Sequence, residues 1–191
     1  MRWSIVSALV LSAALAAAMS AQTRANRTHA LGFGIVATVG DNWQIETAEL
    51  GYVHRPRRGL AAISLAARAG TFINESAMVG GMRGLVTAIS LSGRTRMKSI
   101  AQLGQEEHGT GIGLDMTLEL TGYHASNSPL PQGSRWVGVS LLPAISIGNG
   151  DAPHFALVLG PTAFFSASKP AMRGLLALRG EAPLARRERR P

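Results

Sequence analysis

Along most of this chain apolar residues alternate one for one with small or polar ones, in blocks bounded by turn-forming residues. A period of two places successive side chains on opposite faces of an extended strand, whereas a helical face repeats about every 3.6 residues. The strictest stretch is "GIGLDMTLELTGYHASN" at 111–127. Ile112, Leu114, Met116, Leu118 and Leu120 fall on one side, and Gly111, Gly113, Asp115, Thr117, Glu119, Thr121 and Tyr123 on the other. Eight further blocks follow the same rule, at 31–39, 43–54, 60–70, 82–92, 97–106, 135–148, 155–165 and 172–181. "NGDAP" and "SGRTR" between blocks read as hairpin turns, and "TFINESAMVGG" and "ASNSPLPQGS" as longer loops. After the N-terminal leader the pattern contains no helical period, so the expected class is all-β.

Alternation does not say which face meets water. A soluble barrel turns its apolar face inward, and a membrane barrel turns it towards lipid. The other face discriminates, because a soluble barrel's outer surface carries long charged side chains. Here that face is mostly small: Gly138, Ser140, Leu142, Ala144, Ser146 and Gly148 in one block, Gly84, Val86, Ala88, Ser90 and Ser92 in another. Small residues suit the crowded interior of a narrow barrel. The charges on this face carry both signs. Asp115, Glu119, Arg68, Arg173, Arg179 and Glu181 are therefore expected to meet as a lumen charge network, since an unpaired charge there would be costly. Block lengths also match the ~9–11 residues of a tilted transmembrane strand, and aromatic residues cluster near block ends.

Composition narrows the setting. The 191 residues suffice for one domain, and with no cysteine there is neither a disulfide framework nor a thiolate metal site. "IVSALVLSAALAAAM" (5–19) behind Arg2, followed by small residues, reads as a signal peptide over 1–21. It is short for a membrane-spanning helix, which needs roughly 20 apolar residues. A barrel domain is expected over 22–182, and residues 183–191, with "ARRERRP", form a basic tail expected to be disordered. The net charge of +8 does not call for a nucleic-acid partner.

Leader, alternating blocks, lumen charges and short turns together resemble the small outer-membrane β-barrel proteins of the OmpA/OmpX-like class. That resemblance implies a closed antiparallel up-and-down barrel of eight strands. Ten is the alternative, because single-chain barrels of this kind have an even strand number and nine blocks are visible. It further implies residence in a bacterial outer membrane as a monomer, with lipid, lipopolysaccharide and the barrel-assembly machinery as partners. The role would be structural or surface-interacting, with no identifiable catalytic activity and no cofactor. A soluble periplasmic barrel holding an apolar ligand is the alternative setting.

One segment suggests chemistry. "HASN" (124–127) resembles the His-x-Ser-Asn segment of outer-membrane lipid A deacylases, which implies His124 as base and Ser126 as nucleophile of an esterase. Residues two apart on a strand share a face, as that pairing requires. "EEH" at 106–108 lacks a second histidine at metal-ligand spacing, so no metal site is expected.

Overall fold

The computed structural model describes residues 25–40, 43–56, 59–74, 82–103, 110–126, 133–148, 154–166 and 170–185. The leader at 1–21, the "EEH" segment, Asn127 and the tail from 186 onward lie outside the described residues. Eight strands follow one another: β1 (Ala25–Val39), β2 (Trp43–His54), β3 (Ala62–Asn74), β4 (Met82–Leu103), β5 (Thr110–Ala125), β6 (Arg135–Gly148), β7 (His154–Phe165) and β8 (Ala171–Ala185). Each pairs antiparallel with the next, and β8 pairs back onto β1 through Gly34 opposite Arg179 and Thr38 opposite Leu175. The sheet is thus a closed up-and-down barrel, and closure removes the unpaired edges that an open sheet must protect.

The count is eight because two of the nine sequence blocks are one strand. "SGRTR" does not turn. Residues 82–92 and 97–103 run through it in the single 22-residue β4. Ser92 and Arg94 pair with β3 on one side and β5 on the other, and Arg96 continues the β5 ladder opposite Asp115. Turn-like composition misleads here because the lumen is polar: Ser92, Arg94 and Arg96 share the inward face and alternate with Gly93 and Thr95. Beyond Arg96 the β4–β5 register shifts twice, between Arg96 and Lys98 and between Ser99 and Ala101. Such irregularities bend a strand and restore its phase. β3 also takes in the first residues of "TFINESAMVGG", ending at Asn74.

The two faces differ sharply. Along β6 every second residue from Trp136 to Ser146 is buried, and the intervening ones are exposed. The outward set over the whole barrel is apolar, including Leu50, Leu65, Leu85, Ile89, Leu118, Leu141, Leu157 and Leu178. The described charged side chains on this face are Glu46, Lys98 and Arg135. Inside, the filling is stratified. At the end of the barrel that carries the β1–β2, β3–β4, β5–β6 and β7–β8 connections, Trp43, Phe72, Tyr123, Trp136 and Phe164 form a buried aromatic cluster. Tyr123 and Trp136 stack with ring planes 10° apart, and Phe164 meets Tyr123 edge-on. Small residues make room for them: a Cβ on Gly138 would lie 3.0 Å from the Tyr123 ring and 3.2 Å from that of Phe164. Val36, Leu142, Val158 and Leu175 line the wall formed by β1, β6, β7 and β8.

Candidate functional site

Charged residues fill the remaining lumen in two groups. The central group begins with Arg68 on β3, which is 2% exposed. Its Nε donates to Glu49 Oε2 at 3.0 Å and its Nη2 to Glu119 Oε2 at 2.8 Å. Arg179 on β8 binds the same two acids, through Nε to Glu49 Oε1 at 2.7 Å and through Nη2 to Glu119. Thr121 donates to the second oxygen of Glu119 at 3.2 Å. Two arginines thus face two glutamates with nearly every polar atom engaged. Burying charge is tolerable only under those conditions, since each ion loses its hydration on entering the lumen. Gly34 gives the cluster its space, because a Cβ there would stand 2.9 Å from Glu49 Oε1.

The second group lies towards the end where β1 begins and β8 finishes. Glu181 accepts from Arg55 at 2.7 Å and from Arg94 at 2.6 Å. Asp115 accepts from Arg96 and lies 3.9 Å from Arg94 Nε, so Arg94 links the two acids. The His154 ring sits between them, 4.0 Å from Asp115 and 3.8 Å from Glu181. Arg96 also reaches the Ser146 hydroxyl at 3.3 Å.

Of the six charges expected in the lumen from sequence, Arg68, Glu119 and Arg179 come together in the central group, and Asp115 and Glu181 in the second. Arg173 is placed elsewhere: its guanidinium lies 4.3 Å from the Trp43 ring centroid, at the aromatic end, in cation–π geometry. Glu49, Arg55, Arg94, Arg96 and His154 were not anticipated. Glu49 sits in a strand whose inward face also carries Trp43, Ile45 and Val53, so its polarity did not mark it as interior. Arg94 and Arg96 were hidden in the supposed turn. Their spacing of two, in phase with Ser90 and Ser92, was the available signal.

The arrangement acts as a packed plug. The free space bounded by Glu49, Ser92, Glu119 and Glu181 is about 40 Å³, room for on the order of three water molecules. The aromatic cluster closes the lumen beyond it.

His124 and Ser126, the candidate esterase pair, stand on the exposed outer face. The Ser126 hydroxyl donates towards the Leu85 carbonyl at 3.5 Å. Among the described residues no hydrogen bond joins it to His124 and no carboxylate is paired with the His124 ring. Nucleophile activation requires both contacts, and the described residues do not supply them. Among the described residues, too, no group of three or more histidines and acids is placed to hold a metal ion.

Fold and interior together define a closed eight-stranded antiparallel barrel with an ion-paired lumen and an apolar exterior. No family model, curated protein or solved structure matches the chain.

Proposed function

We propose that this chain is an integral barrel of a bacterial outer membrane, reached by way of the N-terminal leader, with a structural or surface-interacting role. One observation carries the reading: the barrel is inside-out relative to a water-soluble one. Leu118 is 59% exposed, whereas Glu119 beside it is 1% exposed. The same inversion recurs around the wall, at Leu178 and Arg179 and at Ala67 and Arg68. In water this exterior would be a continuous apolar surface far above the few hundred Å² that monomeric soluble proteins tolerate. Against lipid it is the expected surface, and strands of 12 to 22 residues are long enough to cross when tilted.

The filled lumen supports a non-conducting role over that of a porin, since eight strands enclose a space narrow enough for side chains to fill. It equally disfavours an apolar ligand inside, because Glu49, Glu119, Arg68 and Arg179 occupy the centre. Lipid, lipopolysaccharide and the barrel-assembly machinery are the partners this reading implies.

Cell fractionation tests it. The chain should be recovered with outer membranes, and it should migrate differently on a denaturing gel before and after boiling. Recovery in the soluble periplasm would overturn the proposal.

A further inference from the structure

The apolar exterior is indented on the wall formed by β3 to β7. The β3–β4–β5–β6–β7 ladder carries Ala67 opposite Ile89, Ile89 opposite Gly122, Gly122 opposite Val137 and Val137 opposite Phe165, all on the outer face. In this row two positions are nearly bare, and nothing lies within 4 Å of where a Gly122 side chain would stand. The result is a groove of about 740 Å³ walled by Ile89, Val137 and Phe165, within the ~300–1,000 Å³ of small-molecule clefts.

The next outward row, one step towards the β5–β6 connection, pairs Thr87 with His124 and His124 with Arg135. Thr87, His124 and Arg135 are all exposed and all border the groove. They present a hydroxyl, an imidazole and a guanidinium on neighbouring strands, whose directly paired residues stand about 5 Å apart. No ion pair or side-chain hydrogen bond to another described residue engages Arg135 or His124. A cation without a partner among the described residues, beside an apolar groove in an exterior with few described charges, has a complement of definite chemistry: an anionic phosphate joined to an acyl chain.

We propose that this groove is a binding site for an anionic phospholipid, whose phosphate has no cation within its own headgroup. One acyl chain lies over Gly122 and Ala67 against Ile89, Val137 and Phe165, and the phosphate meets Arg135, His124 and Thr87. The proposal rests on the membrane reading above. It gives His124 a role as a headgroup contact on the outer wall.

The test uses the full chain in detergent micelles with pyrene-labelled phosphatidylglycerol and, separately, pyrene-labelled phosphatidylcholine. The wild-type chain should retain the anionic lipid in preference to the zwitterionic one. Arg135→Gln should weaken retention of the anionic lipid about fivefold, as expected for one basic contact, and affect the zwitterionic lipid less, because choline already accompanies its phosphate. Gly122→Leu should weaken both by filling the groove. Heat-modifiable migration verifies that each variant is folded. Equal retention of the two lipids by the wild type, or folded variants that retain lipid as the wild type does, would overturn the site while leaving the membrane reading intact. A chain that stays soluble and monodisperse without detergent would overturn both.

Discussion

Arg68 on β3 and Glu119 on β5 meet at 2.8 Å across the lumen, although β4 lies between their strands in the wall. The contact is long-range in sequence and almost fully excluded from solvent. It joins three staves of the barrel, because Arg68 also holds Glu49 on β2. Arg179 repeats the arrangement from β8.

Removing Arg68 alone should therefore be severe. Arg68→Met leaves two glutamates facing the single charge of Arg179, and breaking a buried pair in this way costs about 3–5 kcal/mol. The double variant Arg68→Met with Glu119→Leu leaves Arg179 opposite Glu49 and restores neutrality. Its urea unfolding midpoint in micelles should lie between those of the single variant and the wild type.

Leu118 provides the sharpest contrast between the two solvents the exterior could face. It lies at the middle of β5, opposite Gly93 and Leu141. If the face meets a bilayer, Leu118→Arg should cost about 2–4 kcal/mol of folding stability in lipid vesicles. On a water-facing surface the same change would stay within about 0.5 kcal/mol. Equilibrium unfolding from vesicles distinguishes the two.

The aromatic cluster should be sensitive to added volume on one side of a strand pair only. Gly138→Val pushes into the Tyr123 and Phe164 rings and should destabilise by about 1–3 kcal/mol, the usual cost of overpacking. Gly122→Val, on the opposite face and with open space around it, should leave the unfolding midpoint close to that of the wild type.

Continuity of β4 makes a prediction at Gly93. Positive φ values among the described glycines occur at Gly59, Gly133 and Gly148, and Gly93 is not among them. Gly93→Val should stabilise the barrel by up to about 1 kcal/mol, because a β-branched residue suits an extended interior position better than glycine. The nearest obstacle is the tip of the Leu60 side chain at 3.2 Å, which can move aside. A segment that turned at Gly93 would instead lose stability on the same change, and thermal melting in micelles separates the outcomes.

Much of the architecture was legible in the chain. The bounds of β2 and β6 coincide with their alternating blocks, because these strands keep period two from the first residue to the last and are stopped by turn residues. β4 was misjudged for the opposite reason. Serine, glycine and arginine suggest a turn wherever strands are assumed to be apolar, but a polar lumen accepts them within a strand. The candidate site was partly legible: alternation put Asp115, Glu119 and Arg179 on the inner face, yet it could not pair them. Pairing depends on shear, which sets the heights at which distant strands present their side chains. Neither Arg68 with Glu119 nor Arg94 with Glu181 is local in sequence.

By itself, then, the sequence determined the all-β class, most strand bounds and, in most strands, the division into a largely apolar face and a largely small or polar one, since these follow from a local period of two. Tertiary structure decided the rest. Continuity of β4 set the number of strands at eight, and closure of β1 onto β8 turned the polar faces inward and brought Arg68, Glu119, Glu49 and Arg179 together. The same closure aligned Gly122 with Ala67 and Thr87 with His124 and Arg135 on the outer wall, and so made a groove that no single strand contains.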